Sequence, residues 1–203
     1  MNPSGFRLYP GYLDAEAQSA LTRAALAAVA IAPFYRPVTP GGRAMSVEMT
    51  NMGPLGWVTD AAGYRYRPTH PTTGAPWPPI PPGLLDLWAD LADAATAPDA
   101  CLVNLYRAGA RMSPHQDKDE ADFSVPVLSV SLGDTAIFRL GGVDRHAPTR
   151  AVRLASGDVC VLAGEARLAF HGIDRIVAGS SRLVPGGGRI NLTLRRARPP
   201  RGL

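Results

Sequence analysis

Six short segments in the second half of the chain limit the folds that it can adopt. Gly, Asp and Pro separate them, and these residue types end strands and begin turns. Closely spaced strands of this kind predict a sandwich or jelly roll. The segments are 101–106, 126–132, 136–140, 158–163, 166–171 and 189–195.

Two helices are predicted ahead of these strands. Asp14 is placed to cap a helix over 15–30, which ends before Pro33. A second helix over 83–97 carries an apolar stripe, which indicates a side that faces the core. Seven prolines within 68–82 predict a stiff extended connector and no domain boundary. The 203 residues are therefore predicted to form one domain, 1–203, of α+β class and mainly β.

Composition restricts the class of protein. Hydrophobic residues make up 46% and charged residues 19%, which is typical of a globular domain. The chain has no run of 18 apolar residues and no visible signal peptide at its N-terminus, so no membrane span is predicted. Cys101 and Cys160 lie in apolar segments and are interpreted as buried, reduced thiols. These features predict a cytoplasmic protein, and nothing in the sequence demands more than a monomer.

Charge is distributed unevenly along the chain. The net charge is +4 overall, −2 over residues 1–100 and +6 over residues 101–203. A basic excess favours an anionic partner such as nucleic acid. Because 20 of the 21 basic residues are arginine, a bias in residue usage explains the excess equally well.

A His-x-Asp pattern, His115 and Asp117, follows the first of the six segments. On extended backbone these two side chains would leave the same face. With His171 they would form a 2-His-1-carboxylate set, which leaves coordination positions of Fe(II) open for substrate and O2. Taken alone, the pattern is weak, because pairs of this kind more often form surface hydrogen bonds.

The last segment, 189–195, alternates between apolar and polar residues, as Asn104 and Tyr106 also do upstream. An amphipathic strand with a solvated polar face would explain the pattern. A barrel interior lined by these polar residues would instead fit a small dicarboxylate, because Arg binds a carboxylate through two parallel bonds. The apolar face comprises Ile190, Leu192 and Leu194, and the polar face comprises Arg189, Asn191, Thr193 and Arg195.

Residues 38–67 combine turn residues with methionine and aromatic side chains. Pro40-Gly41-Gly42 predicts a turn, and the following residues alternate as in a short hairpin. Methionine and aromatic side chains in a loop-rich segment suit an adaptable binding surface. A small apolar patch that closes over the core is the alternative.

Together these motifs resemble the AlkB family of Fe(II)- and 2-oxoglutarate-dependent nucleic-acid demethylases. The resemblance covers about 38–195 and implies a double-stranded β-helix (jelly-roll) core over about 100–197. It also implies N-terminal helices and a nucleotide-recognition lid over about 38–67. The motifs are Asn104-Leu-Tyr106, His115–Glu120, Ser129–Gly133, Ala136–Phe138, Gly141-Gly142, His171-Gly172 and Arg189–Arg195, with Thr39–Asn51 and Leu55–Trp57 in the lid.

The resemblance also implies roles for individual residues. His115, Asp117 and His171 would hold Fe(II), which reacts with O2. Arg189 would pair with the distal carboxylate of 2-oxoglutarate, in a pocket completed by Asn104, Tyr106, Asn191 and Arg195. Trp57 and His115 would flank the base and Tyr64 would bind its phosphate, while Asp119 would favour cationic bases. The full set of expected substrate contacts is Trp57, Tyr64, Met45, Met49, Thr39, Asp119 and Arg145.

The substrates implied by the resemblance are 1-methyladenine and 3-methylcytosine in DNA, and possibly in RNA. The products would be the repaired base, formaldehyde, succinate and CO2. Two other functions stay open: an oxygenase that acts on protein or a small molecule, and a binding protein without turnover. The lid motifs argue against the first, and the intact His115, Asp117, His171 and Arg189 argue against the second.

Some positions depart from the family pattern. Leu162 stands where bacterial members often have Trp, so a change in the shape of the cofactor pocket is expected. Arg43 and Glu48 occupy lid positions that vary in character, which affects the expected substrate preference. His70 and His146 lie in loops beside proline and are predicted to be surface residues.

Overall fold

Two antiparallel sheets enclose a shared interior in the computed structural model, which describes residues 3–198. Side chains from both sheets line one cavity between them, so the predicted jelly roll is confirmed. Helices lie on the other side of the larger sheet, where their apolar side chains join its outer face in one core cluster. The predicted domain range of 1–203 includes residues 1, 2 and 199–203, which lie outside the described part.

The secondary structure comprises twelve strands, two α-helices and one short 3₁₀ helix in the described range 3–198. The larger sheet has the order β1-β10-β7-β12-β5-β2, the smaller sheet has the order β6-β11-β8-β9, and β3 and β4 form a separate hairpin. The elements are β1 Phe6–Tyr9, α1 Ala15–Ile31, β2 Glu48–Met52, β3 Gly56–Asp60, β4 Gly63–Arg67, α2 Pro82–Leu91, β5 Ala100–Tyr106, β6 Met112–His115, β7 Val127–Gly133, β8 Thr135–Leu140, β9 Arg150–Leu154, β10 Val159–Leu162, the 3₁₀ helix Gly164–Leu168, β11 His171–Val177 and β12 Arg189–Arg195.

Strand β12 lies between β5 and β7 and separates the helix side of the larger sheet from the cavity. Its Ile190, Leu192 and Leu194 pack with α1 and α2, in a cluster that includes Leu84 and Trp88. Its four polar residues line the cavity instead. The polar face is therefore an interior lining and is not solvated.

The helices begin as predicted, but one ends early. The carboxylate of Asp14 accepts a 2.8 Å hydrogen bond from the N–H of Ala17, which satisfies a free donor at the start of α1. Helix α2 ends at Leu91, six residues short of the predicted Ala97. Asp93 takes a positive φ of 54° just beyond it, and an α-helix cannot continue through that conformation.

The prediction of a strand over 166–171 is wrong. Gly164–Leu168 forms a 3₁₀ helix, and β11 begins at His171. The side chain of Arg167 turns inward and donates to the carbonyls of Val125 and Asp117, so the segment has no strand alternation. Five short strands were not predicted from the sequence: β1, β3, β4, β6 and β9.

The segment 38–67 divides into parts with different surroundings. The backbone at Thr39 and Arg43 closes a narrow turn, as the Pro-Gly-Gly sequence predicts. Strand β2 pairs with β5 and forms the edge of the larger sheet, so it belongs to the core. The β3–β4 hairpin is a separate two-stranded sheet. The Asn51 side chain accepts from the N–H of Trp57 and donates to its carbonyl, which attaches the hairpin to β2.

The prediction that His70 lies on the surface is wrong, because only 2% of the residue is exposed. Its Nδ1 accepts from the backbone N–H groups of Thr72 and Thr73, and its Nε2 donates to the carbonyl of Pro33. His70 therefore holds the proline-rich connector in place. His146 is exposed, as predicted.

Cys101 and Cys160 are buried free thiols, as predicted. Burial raises the pKa of Cys101 to about 12 and that of Cys160 to about 11, so both are protonated at neutral pH. Between residues 3 and 198, no helix has the length and apolarity to cross a bilayer.

Candidate active site

His115, Asp117 and His171 meet at one end of the smaller sheet. His115 ends β6 and His171 begins β11, and the two residues are register partners. The Nε2 atoms of the two histidines lie 3.7 Å from different carboxylate oxygens of Asp117. One ligand atom from each residue can be chosen so that all three lie within 4.8 Å of one another. This spacing allows one ion to contact all three side chains.

Both histidines are oriented by the backbone before any ion binds. Nδ1 of His115 lies 3.0 Å from the carbonyl of Ser113, and Nδ1 of His171 lies 2.9 Å from the carbonyl of Ala169. A carbonyl only accepts hydrogen bonds, so Nδ1 carries the proton and Nε2 keeps its lone pair for a metal. Burial lowers the pKa of His171 to about 4, which keeps this imidazole in the neutral form that a ligand requires.

The Asp117 carboxylate is ionised despite its burial. Burial alone would raise its pKa, but the charges of Arg195, His171 and His115 outweigh that effect and lower the pKa. Arg195 Nη2 donates to Oδ1 of Asp117 at 2.9 Å. Asp117 is therefore held in the charged form and in a fixed position beside the two histidines.

A cavity of about 60 Å³ lies between the two sheets and reaches the three ligands. This volume would hold roughly four water molecules at one probe sphere each, or a small acid. The two sheets contribute its lining together. The residues predicted to bind 2-oxoglutarate all line it: Asn104, Tyr106, Arg189, Asn191 and Arg195.

Arg189 lacks most of its hydrogen-bond partners inside this cavity. Only 1% of the residue is exposed, and Nη2 donates to the Ser131 hydroxyl at 3.0 Å. Its Nε and Nη1 atoms have no partner among residues 3–198. A buried cation with free donors is costly, so the site is suited to an anion that accepts two parallel bonds. The distal carboxylate of 2-oxoglutarate has this geometry.

Arg195 lines the same cavity but has partners already. Besides Asp117, it lies 3.4 Å from the Tyr66 hydroxyl and 3.6 Å from Glu120. Glu120 also accepts from Arg167 Nη2 at 2.9 Å and from the Tyr66 hydroxyl. This network connects the β3–β4 hairpin to the carboxylate ligand. Of the three guanidinium nitrogens of Arg195, only Nε has no partner among residues 3–198.

The residues present fit an iron ion and 2-oxoglutarate. The donor set is two imidazoles and one carboxylate within 4.8 Å of one another, which is the set used by non-haem Fe(II) oxygenases. The same cavity contains a buried arginine, Arg189, two of whose nitrogen donors have no acceptor among residues 3–198. The predicted cofactors Fe(II), 2-oxoglutarate and O2 agree with both features.

Trp57, Tyr64 and Asp119 lie together near the metal ligands. Trp57 packs against the apolar cluster that includes the cavity residue Phe138, and Asp119 is two residues beyond Asp117 in the chain. Trp57 and Tyr64 stack with ring centroids 5.6 Å apart and planes 18° from parallel. Trp57 Nε1 donates to Oδ2 of Asp119 at 2.7 Å. Half of Tyr64 is exposed, so its ring and hydroxyl are available to a ligand.

The other predicted substrate contacts occupy different environments. Met45 is half-buried and packs with Trp57 against the cluster that contains Met49. Met49 itself is 1% exposed and belongs to that cluster, so its side chain is part of the core. Thr39 is half-buried in the turn at the start of the lid, and Arg145 is an exposed loop residue whose guanidinium lies 5.6 Å from the Phe170 ring centroid. Their substrate contacts stay predictions.

Several residues around the ligands were not predicted from the sequence. Glu120 ends the His115–Glu120 motif, but its role depends on Tyr66 and Arg167, which are far from it in the chain. Nothing in the sequence indicates that Arg167 turns inward, because its segment is predicted to be a strand. Ser131, the partner of Arg189, was identifiable only as an inward residue of a predicted strand.

The jelly roll and its 2-His-1-carboxylate site define an Fe(II)-dependent oxygenase, and family comparison agrees. Residues 5–195 match the family described as the 2OG-Fe(II) oxygenase superfamily. Within that superfamily the chain belongs to the AlkB family.

Two curated relatives and one solved structure carry this assignment. The Caulobacter vibrioides alpha-ketoglutarate-dependent dioxygenase AlkB homolog is 66% identical over 194 residues, covering 96% of this chain and 88% of the relative. The Escherichia coli alpha-ketoglutarate-dependent dioxygenase AlkB is 49% identical over 169 residues, covering 81% of this chain and 78% of the relative. The structure of OsALKBH1 superimposes with a TM-score of 0.81 at 32% identity, covering 97% of this chain and 99% of that chain.

Proposed function

We propose that this dioxygenase removes methyl groups from ring nitrogens of nucleic-acid bases, with 1-methyladenine and 3-methylcytosine in DNA as the substrates. The same reaction in RNA is the second candidate. The observation that carries the proposal is the hydrogen bond between Trp57 and Asp119. It holds an aromatic face beside a carboxylate, and Asp119 is two residues beyond the metal ligand Asp117.

The chemistry of the substrate matches the pairing of Trp57 with Asp119. A base methylated at these positions carries positive charge, which a carboxylate favours over a neutral base. A cation over the Trp57 ring gains roughly 0.5–2 kcal/mol. Leaving the base stack is also cheaper for a damaged base, because its pairing is already lost. Discrimination therefore arises from charge and from the ease of base flipping.

Each part of the site has one task in the reaction. When bound, Fe(II) would use O2 and 2-oxoglutarate to hydroxylate the N-methyl carbon, with one oxygen atom going to the methyl group and the other to succinate as CO2 is released, and the hydroxymethyl group would then leave as formaldehyde. His115, Asp117 and His171 would hold the iron, and Arg189 would hold the cosubstrate. Trp57 and His115 would orient the base between them. Burial of the cavity excludes bulk water from the reacting groups.

Names of more distant relatives are consistent with nucleic-acid substrates. A DNA N(6)-methyladenine demethylase ALKBH1A of Arabidopsis thaliana is 49% identical over 82 residues. The tRNA demethylase abh1 of Schizosaccharomyces pombe is 34% identical over 114 residues. Each covers about half of this chain or less, so they support the class of substrate and not the choice between DNA and RNA.

We further infer that the enzyme acts in the cytoplasm as a monomer. Two buried free thiols support a reducing compartment. The cavity and all three ligands come from one chain, so a second copy is not required to complete the site.

Reconstitution with a defined substrate tests the proposal. The protein is loaded with Fe(II) without oxygen, then incubated in air with 2-oxoglutarate and single-stranded DNA that contains 1-methyladenine. Mass spectrometry should show loss of one methylene unit, with formaldehyde and succinate formed in equal amounts. Succinate without repair would contradict the substrate assignment, and neither product from an iron-loaded protein would favour a binding role.

A further inference from the structure

The outer face of the smaller sheet carries three arginines on neighbouring strands. Arg139 lies on β8, Arg153 on β9 and Arg175 on β11. Arg153 and Arg175 are the register partners of the same β8 residue, Ile137, one on each side. Arg139 is two residues from Ile137 on β8, so its side chain leaves the same face. The three arginines therefore form one cluster across three strands.

These side chains point away from the cavity and into solvent. Phe138, which lies between Ile137 and Arg139, lines the cavity on the other face, as does Ile173, which a register shift separates from Arg175. The Arg175 side chain is 66% exposed and that of Arg139 is 40% exposed, while Arg153 is also exposed. The backbone of the sheet holds all three at fixed positions, so the cluster is a built surface and not a flexible tail.

The cluster keeps a positive charge after its internal pairing is counted. Asp174 accepts from Arg175 at 3.1 Å and from Arg139 at 3.4 Å. Asp174 therefore pairs with two of the three arginines, and exposed pairs of this kind are weak. Arginine is also the residue that best matches the geometry of phosphate oxygens. The cluster is therefore suited to a polyanion.

The cluster lies near the end of the smaller sheet that carries the two histidine ligands, on the opposite face of that sheet. His115, His171, Leu140 and Arg150 form one register row across the four strands, and Arg150 is exposed at its end. Arg139 lies one residue from this row along β8, and Arg153 lies three residues from it along β9. A rise of about 3.4 Å per residue places Arg153 roughly 10 Å from Arg150 along β9. That length matches about three phosphates of a strand at stacked spacing.

We infer that the arginine cluster of Arg139, Arg153 and Arg175 binds the phosphate backbone of the substrate nucleic acid where the strand leaves the active site. The flipped base would lie beside Trp57 and Asp119. The adjoining nucleotides would pass Arg150 at the end of the smaller sheet and continue onto its outer face. The inference rests on the proposed function, because it takes the same nucleic acid as partner. It adds a length requirement: a short oligonucleotide would not reach the cluster.

Binding measurements test this inference without the reaction. Fluorescence anisotropy would give the Kd of the Fe(II)-free full-length protein for labelled unmodified dT12 and dT3 between 50 and 200 mM salt. The variant R139Q/R153Q/R175Q should bind dT12 on the order of tenfold more weakly, with a salt slope smaller by about 2, because single strands lose about 0.7 per phosphate contact. Binding of dT3 should not change.

Two further variants serve as controls. R23Q/R182Q/R198Q removes the same number of exposed arginines from other parts of the surface, and it should bind dT12 like the parent. R139K/R153K/R175K keeps the charge and should keep most of the salt slope. An unchanged slope in the glutamine variant would overturn the inference, as would an equal loss in the R23Q/R182Q/R198Q control or an equal loss for dT3. Repair of 1-methyladenine by the parent protein is scored separately, so failure of the proposed function would be distinguishable.

Discussion

The indole N–H of Trp57 donates to the Asp119 carboxylate at 2.7 Å, and this bond joins the lid hairpin to the loop behind the metal ligands. The two residues are 62 positions apart in the chain. Asp119 is exposed, so its carboxylate can exchange the indole for a substrate donor. The structure therefore joins a charged acceptor and an aromatic face two residues from the ligand Asp117.

Replacement of Asp119 by Ala should weaken the preference for cationic bases. A hydrogen bond to a charged group contributes about 1.5–3 kcal/mol, which corresponds to at least about a tenfold loss of kcat/KM for 1-methyladenine. Trp57→Phe keeps the aromatic face and removes only the indole donor, so its loss should be smaller. Relative rates on 1-methyladenine and on a neutral methylated base check this, and an unchanged ratio would contradict the role of Asp119.

Replacement of His171 by Ala should abolish specific iron binding and leave the fold intact. Loss of an outer partner of a ligand alone costs about 10–100-fold in metal affinity, so loss of the ligand should cost more. Anaerobic Fe(II) titration with circular dichroism would measure both properties. His146→Ala, at an exposed histidine, is the matched control. Normal iron stoichiometry in the folded His171 variant would refute the ligand assignment.

Replacement of Arg189 by Lys should weaken 2-oxoglutarate binding about tenfold or more while iron binding persists. The guanidinium offers paired donors to a carboxylate, whereas an ammonium is a single point charge. Calorimetry of 2-oxoglutarate with the metal-loaded protein under nitrogen would give the affinity. Arg182→Lys, at an exposed position, should behave like the parent protein. Equal affinity in the Arg189 variant would remove this residue from the cosubstrate site.

Replacement of Glu120 by Ala should lower the free energy of unfolding by about 3–5 kcal/mol, because it leaves the buried Arg167 guanidinium without its carboxylate and Arg195 with Asp117 alone. Glu120→Gln keeps an acceptor and should cost less. Asp174→Asn breaks an exposed ion pair and should change stability by less than about 1 kcal/mol. Urea denaturation measures all three, and similar losses at Glu120 and Asp174 would contradict the buried network.

Stability should fall with rising pH between about 9 and 11. Burial raises the pKa of Cys160 from 9.0 to about 11 and that of Cys101 to about 12. The unfolded chain releases these protons first, so stability is full below pH 9 and is lost as pH rises. The loss is on the order of 2 kcal/mol per thiol by pH 11. The urea midpoint of the parent should fall more steeply with pH than that of C101A/C160A. Equal slopes for the two proteins would contradict the role of the thiols.

Local patterns predicted the features that depend on neighbouring residues. The Asp14 cap, the alternation of 189–195 and the turn after Pro40 each follow from residue type and spacing within a few positions. The same patterns failed where a distant contact decides the conformation. His70 is buried because Pro33 and the Thr72 and Thr73 amides surround it, and no local signal indicates that.

The sequence by itself determined the strand-rich class, the metal-ligand types and the family resemblance, because residue chemistry and period-two alternation are written in the chain. Only the tertiary structure decided which polar face lines the cavity and which carboxylate each arginine binds. Arg195 and Asp117 are 78 residues apart, and Tyr66 and Glu120 are 54 apart. Such pairs form only when strands from distant parts of the chain come into register, and removing one member leaves the other as a costly buried charge.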